Sequence, residues 1–372
     1  MRLVVFTHSV ASDWNHGNAH FLRGVARALH ARGHAVETFE PSDGWSLQNL
    51  LTDHGLAPLS EYREVFPDLP AKFYDPEARR FDGEPLDAVL DRADAVLVHE
   101  WNAPEFVARL GKRRRERGGF RLLFHDTHHR AASAPEAMRK FDLSGYDGVL
   151  AFGEVIRELY LRNGWTDRAW TWHEAADTTL FNPPAEPTEP ERDLVWVGNW
   201  GDGERTAELR EFLLEPIGRL GLSARVHGVR YPAAAREALA EAGAEYAGWL
   251  PNHRVPAAFA QARATVHVPR RPYVEALPGV PTIRPFEALA CGLPLVCSPW
   301  EDAEGLFRPG RDYLLARDGE EMQRHLRAVL EDDALAANLR EHGRETILAR
   351  HTCGHRADEL LTILDELGTG GL

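Results

Sequence analysis

The feature that most limits the fold is a grammar repeated along the chain: a short apolar run, a polar loop, then apolar residues at helical spacing. It opens the sequence. RLVVFTH reads as a strand, and in HFLRGVARALHARGH the residues Phe21, Leu22, Val25, Ala26 and Leu29 recur at helical intervals before Gly33 stops the helix. AVETFE follows as a second strand, so the first 40 residues form a β-loop-α-β unit, the building block of a parallel sheet. The order resumes with ADAVLVHE, a helical APEFVARLGKRRRER, GFRLLFHD, a helix at Pro135, DGVLAFG and a helix from Glu154 to Arg162. Each strand is short and apolar, as strands covered on both faces are.

Two stretches break the pattern. Residues 41–83 carry Pro41, Pro58, Pro67, Pro70 and Pro76 without a sustained period, which predicts short helices and loops, a candidate mobile flap. NPPAEPTEPER, residues 182–192, holds four prolines among glutamates and no side chain suited to a core, so it reads as a linker. The grammar then restarts with DLVWVGN, SARVHGV, AEYAG, ATVHVP and PLVCSP, each followed by a helix, and from Asp318 to Leu367 the chain is almost wholly helical. Two doubly wound α/β domains are expected: 1–181, then the linker 182–192, then 193–350, with 351–372 as a closing helix. A length of 372 residues suits that division.

Charge and cysteine content narrow the partners. With 43 Lys and Arg against 57 Asp and Glu, the net charge of −14 gives no general footprint for nucleic acid or an anionic membrane. The three cysteines, Cys291, Cys297 and Cys353, form no close pair, so neither a disulfide framework nor a zinc site is expected. No apolar run approaches the roughly 20 residues that span a bilayer, and the start lacks a basic region and cleavage site. A cytoplasmic protein without an integral membrane segment is the expectation.

In open parallel sheets ligands bind at the carboxyl ends of the strands, and with two such domains a cleft between them is the expected site. After the first strand, Asp13, Trp14, His16, Gly17 and Asn18 precede a helix whose first amides could meet an anion; capping and turn roles explain Gly17 and Asn18 equally well. After GFRLLFHD stand His125, Asp126, Thr127, His128 and His129. Adjacent residues of one loop cannot all point at one ion, so metal is not expected there. His173 and Glu174 form a further polar pair near the linker. In the second half, LVWVG leads into Gly198, Asn199, Gly201, Gly203 and Arg205, glycines that permit close backbone approach beside a cation suited to a diphosphate. Arg270, Arg271 and Arg284 surround a proline-rich loop ahead of a helix that carries Glu287 one turn in. The helix macrodipole alone favours an acid there, and an acid so placed can also grip the hydroxyls of a ribose.

The run Thr282 to Pro294, TIRPFEALACGLP, resembles the signature of GT-B glycosyltransferases of the group 1 and family 4 type, and with the downstream EGLFRPGRDYLLA it is most similar to the CgeB-like branch. GNAHFLRGVARALHARGHAV, AWTWHEAADTTLF and HTCGHRADELL extend the resemblance over most of the chain. It implies two Rossmann-like domains facing a central cleft, with the last helix crossing back to the first domain. It implies a nucleoside diphosphate sugar as donor, its ribose held by Glu287 and its phosphates met by amides around Thr282, Ile283 and Arg284 and by Arg205 near Gly198 and Asn199. The loop at Trp249 would border the base, Gly17 and Asn18 would close over the phosphates, and His125, His16 or Asp13 would serve any base catalysis.

One departure bears on the outcome. In many family 4 enzymes an acid eight positions before the ribose-binding one contacts the sugar. That position is Gly279 here, and Glu275 is the nearest acid. Glu275, His128, His173 and Trp14 are therefore the candidate sugar or acceptor contacts. The resemblance is to retaining enzymes, so retention of configuration is the lean, and since no Asp-x-Asp occurs no metal or other cofactor is expected. The acceptor, a small molecule, a glycan or a lipid-linked compound touching the basic KRRRER of residues 112–117, is not specified by the sequence. A nucleotide-sugar epimerase of the same architecture and a non-catalytic coat protein remain the alternatives.

Overall fold

The computed structural model describes residues 1–15, 17–75, 80–186 and 189–369. The chain forms two compact units, 1–174 with 353–372, and 175–352.

In the first unit seven parallel strands carry the sheet: β1 (Arg2–Phe6), β2 (Ala35–Pro41), β3 (Ala71–Asp75), β6 (Ala95–His99), β7 (Arg121–Asp126), β8 (Gly148–Ala151) and β9 (Ala169–Thr171). Two short antiparallel strands, β4 (Arg80–Phe81) and β5 (Glu84–Pro85), extend the β3 edge, and the order among the described residues is β5-β4-β3-β2-β1-β6-β7-β8-β9. Leu3 stands opposite Val36 on one side and Ala95 on the other, and β6 is buried along its whole length. The helix Asn18–Ala31 buries the expected Phe21, Leu22, Val25, Ala26 and Leu29. The last helix, Cys353–Thr369, packs on it: Trp172 Nε1 donates to the Arg356 carbonyl at 2.9 Å, and Arg32 Nε meets Asp358 at 2.6 Å.

The stretch expected to be irregular is more ordered than its prolines suggested. It holds the helices Trp45–His54 and Ala57–Val65 and a full parallel strand, β3, paired with β2. Pro58 sits in the first turn of its helix, where proline's missing N–H costs nothing. The strand AKFYD has Lys72 and Asp75 among its apolar residues, the mixed composition of a strand near a sheet margin.

The second unit has six parallel strands in the order β12-β11-β10-β13-β14-β15: β10 (Arg192–Val197), β11 (Ala224–His227), β12 (Ala244–Gly248), β13 (Ala262–His267), β14 (Leu295–Cys297) and β15 (Leu314–Leu315). Leu194, Trp196, Val226, Ala264 and Val296 fill its core. Helices Gly319–Glu331 and Asp333–Arg350 are capped by Asp318, which accepts from Glu321 N–H at 2.7 Å, and Asp332, which accepts from Ala334 and Leu335 N–H at 3.0 Å. No helix among the described residues is long and apolar enough to cross a membrane.

Candidate functional site

Strand order reverses direction in the second unit between β10 and β13, the kind of switch point at which the loops of an open α/β sheet diverge and leave a crevice. The loop after β10 is bound to the one after β11. Gly198 N–H donates to the His227 carbonyl at 2.9 Å, and the Tyr231 hydroxyl donates to the Gly198 carbonyl at 2.9 Å. A Cβ on Gly228 would stand 1.9 Å from that carbonyl, so only glycine allows the approach.

Arg205 ties this loop to the segment after β13. Its Nη1 donates to the Val268 carbonyl at 2.8 Å, its Nη2 donates to both Asn199 oxygens at 2.7 and 2.9 Å, and the guanidinium lies 5.2 Å from the Trp196 ring. Arg270 donates to the same Asn199 Oδ1 at 3.1 Å and pairs with Glu204 at 3.1 Å. Burial, then the neighbouring Arg270, push the Arg205 pKa down to about 10. Arg205 thus braces the loop through neutral acceptors, while Arg270 stands beside it as a second cation. Arg271 points elsewhere, to Glu208 at 3.0 Å.

The helix Ile283–Ala290 begins beside these groups. Thr282 precedes it without capping it: its hydroxyl meets His267 Nε2 at 3.1 Å, which leaves the first amides of the helix without a side-chain cap. Burial, with Arg205 and Arg284, lowers the His267 pKa to about 3, so the imidazole is neutral. Glu287 is wholly buried one turn in, paired with Arg284 and accepting from Asn252 Nδ2 at 2.8 Å. Asn252 follows half-buried Trp249 on the loop after β12, so this loop and Glu287 meet. Gly198, Asn199, Arg205, Thr282, Ile283, Arg284, Glu287 and the Trp249 loop therefore gather at one end of one sheet.

Glu275 does not join them; it is exposed on the short helix Arg271–Ala276. Gly279 has φ +88°, and a Cβ there would come within 2.6 Å of the Glu304 side chain. The acid that occupies the place beside Gly279 is Glu304, from the loop after β14, which sequence spacing could not indicate.

In the first unit the loop after β1 does not offer its amides to a ligand. Val10, Ala11 and Ser12 N–H groups donate to Glu40 Oε2 at 2.8, 2.8 and 3.3 Å, and the Ser12 hydroxyl donates to Oε1. Glu40 is fully buried; desolvation raises its pKa against these four donors. An anion hole is present, and the chain fills it itself. Asp13, expected as a base, lies in a buried pair with Arg23 at 2.9 Å. Trp14 Nε1 donates to Asp53 at 2.8 Å, Gly17 caps the helix start by backbone alone, and Asn18 Nδ2 donates to Glu174 at 2.9 Å. His16 lies outside the described residues.

His125 is fully buried, with neither ring nitrogen hydrogen-bonded among the described residues, and is enclosed by the rings of Phe21, Trp172 and His99 at 6.0, 4.9 and 5.3 Å. Burial lowers its pKa to about 3. It cannot touch a ligand from this position, which corrects its expected catalytic place. His128 is half-buried, its ring 5.0 Å from Trp101, and His173 is half-buried beside Glu154. The group that sequence reading missed is Glu100, buried at the end of β6 and paired with Arg130, whose guanidinium lies 4.2 Å over Trp101. Its place at a strand's carboxyl end was as visible as that of His125. Burial pushes the Glu100 and Asp126 carboxyls upward. The KRRRER run is largely neutralised: Arg113 pairs with Asp87 and Asp91, Arg114 with Asp147, and Lys112 with Glu116. Among the described residues no three His, Cys, Asp or Glu side chains are grouped as a metal ion would require.

Solved structures match both units together. A sucrose-phosphate synthase from Thermosynechococcus elongatus is 16% identical, with 100% of each chain covered and a TM-score of 0.66. HepE from Anabaena, in complex with UDP and glucose, is 13% identical over 98% of this chain and 99% of that one, with a TM-score of 0.67. The chain has the GT-B fold. T4 phage BGT, in complex with its UDP-glucose substrate, shares this GT-B architecture at 11% identity over 99% of each chain, with a TM-score of 0.60. Residues 205–362 match a family model described as glycosyl transferase-like, a span that begins at Arg205 and contains Arg270, Thr282 and Glu287. No curated protein matches the chain in sequence.

Proposed function

We propose that this GT-B chain is a glycosyltransferase that takes a sugar from a UDP-sugar bound at the β10/β13 crevice of the second unit. The observation that carries the reading is the convergence of Arg270, Arg284, the uncapped start of helix Ile283–Ala290 and the buried Glu287 at one crevice, inside the segment that matches the glycosyl transferase-like model. HepE and BGT, whose structures hold UDP or UDP-glucose, support uridine as the base. The TIRPFEALACGLP signature supports placement in the CgeB-like, family 4-like branch.

On this reading the ribose hydroxyls donate to Glu287, which gives up Arg284 in return. Arg284 then turns to the diphosphate, joined by Arg270 and the amides of Ile283 and Arg284, while Arg205 keeps the Gly198–Asn199 loop in place. Negative charge grows on the diphosphate as the bond from the sugar C1 breaks, so cations and amides already in position lower the barrier. Those groups supply the charge that a divalent metal would otherwise bring, and the reaction is metal-independent. The acceptor hydroxyl forms the new bond to C1 and loses its proton. With Asp13 held by Arg23 and His125 sealed from ligands, the departing phosphate oxygen is the proposed proton acceptor, which supports retention. Acceptor contacts fall to the first unit, where Trp45 is 41% exposed and braced edge-on by Trp14 at 5.1 Å. Calorimetry with UDP, GDP and dTDP tests the assignment: UDP binds tightest, and a preference for another base overturns the donor.

A further inference from the structure

The helix Ile283–Ala290 forgoes a bond that its own sequence offers. Thr282 stands at its N-cap position with extended backbone, φ −80° and ψ 174°, and a threonine there ordinarily accepts from the amide of the second or third helical residue. The third is Pro285, which has no N–H, so the Arg284 amide is the donor left for a cap. That cap is not made. Among the described residues neither the Ile283 nor the Arg284 amide meets a protein acceptor, although Ile283 is buried. Backbone donors left over in such a setting are met by a ligand or by water.

The group that withholds the cap belongs to the sheet. His267, the last residue of β13, is buried, and its Nε2 meets the Thr282 hydroxyl at 3.1 Å. Its place is fixed from two sides. The backbone is paired with Cys297 of β14 and its carbonyl accepts from Ser298 N–H at 2.9 Å, while the ring stands edge-on to Trp300 at 6.4 Å. Burial, with the Arg205 and Arg284 charges beside it, keeps the imidazole neutral. A neutral ring can hold a hydroxyl there without adding another positive charge between two guanidinium groups.

A hydroxyl bound to a histidine of the sheet in place of the amide two residues away costs the helix local stability. What it leaves behind is of use to an anion: open amides at a helix start, with the Arg284 guanidinium on the same turn. We propose that His267 is a positioning residue of the donor site, which draws the Thr282 hydroxyl off the helix start so that the Ile283 and Arg284 amides stay open to the diphosphate. It acts through Thr282 and not by contact with the donor. The inference rests on the donor reading given above and adds to it the residue that keeps the phosphate end of the crevice open.

The test is a double-mutant cycle on the full chain, with the parent, H267F, T282A and H267F/T282A compared by calorimetry with UDP and uridine and by thermal unfolding. In H267F the hydroxyl is released to the Arg284 amide and UDP has to displace it, so Kd for UDP rises about fivefold, the worth of one cap. Uridine, which has no phosphates, binds H267F as it binds the parent. With T282A already in place, the same histidine substitution leaves Kd for UDP at the T282A value. Thermal unfolding gives the ligand-free counterpart: T282A lowers Tm by about 2–4 °C in the H267F chain, where a cap has formed, and not in the parent, where there is none to lose. H267A takes the place of H267F in the same cycle if phenylalanine is not accommodated. The inference is overturned if H267F leaves UDP affinity unchanged, if it weakens UDP equally with and without T282A, if uridine loses affinity by the same factor, or if T282A lowers Tm equally in both backgrounds. A parent chain that binds no UDP overturns the donor reading and the diphosphate with it, and the Tm cycle still decides whether His267 withholds the cap.

Discussion

Replacing Glu287 by glutamine isolates the contact on which the donor assignment turns. The carboxylate is wholly buried, accepts from Asn252 at 2.8 Å and pairs with Arg284. Glutamine keeps its volume and can keep the Asn252 contact, but it carries no charge. A hydrogen bond to a charged acceptor contributes about 1.5–3 kcal/mol and one to a neutral acceptor about 0.5–1.5 kcal/mol, so each ribose hydroxyl loses about 1–1.5 kcal/mol, or about five- to tenfold in Kd. Part of that is regained, because Arg284 no longer has to leave an ionic partner before it turns to the phosphates. A net loss of about tenfold is expected for UDP. Calorimetry with UDP and with uridine then sorts the roles: E287Q weakens both ligands, since both carry the ribose, and uridine by the larger factor, since it has no phosphates for the freed Arg284 to engage, whereas R284A weakens UDP and spares uridine. The unpaired Arg284 of E287Q also costs stability, about 3–5 kcal/mol for a buried pair broken at one partner, which lowers Tm by about 6–20 °C in a domain of this size. If E287Q binds uridine as tightly as the parent does, Glu287 is a structural acid and the ribose assignment is wrong.

Three further outcomes are expected. E40A strands three amides and a hydroxyl, each worth about 1 kcal/mol or more when left buried and unpaired, so urea denaturation should show a loss of about 3–5 kcal/mol with no change in UDP affinity measured below the transition. H125F removes an imidazole that folding keeps neutral. Because the folded pKa, about 3, lies below the ordinary 6.5, the unfolded chain binds the extra proton between those values and stability falls as pH drops through that window, by about 1.4 kcal/mol per pH unit. The H125F chain should therefore show an acid limb shallower by one proton between pH 6.5 and 3, and an unaltered limb would mean that His125 is already charged when folded. W45A, at a side chain 41% exposed, should leave Tm and UDP affinity unchanged while raising KM for the acceptor; an unchanged KM would place Trp45 outside the acceptor contacts.

Legibility followed sequence distance. The strands and the helix Asn18–Ala31 were readable because each is local and periodic, and Glu287, Arg284 and Thr282 were readable because they share one continuous run. β3 was not, since AKFYD is too mixed to show a period and its strand character comes from pairing with β2. The partners that decide each candidate's role lie far along the chain. Nothing near Gly279 indicates Glu304, nothing near His125 indicates that Phe21 and Trp172 close over it, and nothing near the basic helix end shows that Asp87, Asp91 and Asp147 neutralise it. Residue type and local spacing identify groups able to do chemistry, and only tertiary packing separates those that face a ligand from those that face the protein.

The same grammar has opposite consequences in the two units, and that contrast supports the proposed place of the donor. Each unit begins with a central strand, a glycine-containing loop and a helix, and in the first unit that loop gathers three backbone amides. In the first unit Glu40, carried on the adjacent strand β2, places a buried carboxyl group on those amides, so the hole is filled before any ligand arrives. In the second unit the loop is braced by Arg205 through carbonyl and amide oxygens, and the neighbouring helix start keeps its amides uncapped because Thr282 is turned to His267. A diphosphate entering the first unit would have to expel a carboxyl group held by four donors. One entering the second meets uncapped amides and displaces only Arg284 from Glu287, a cation that it then engages itself. The difference in cost between these two entries, rather than any difference in fold, is what supports the proposed nucleotide site in the second unit.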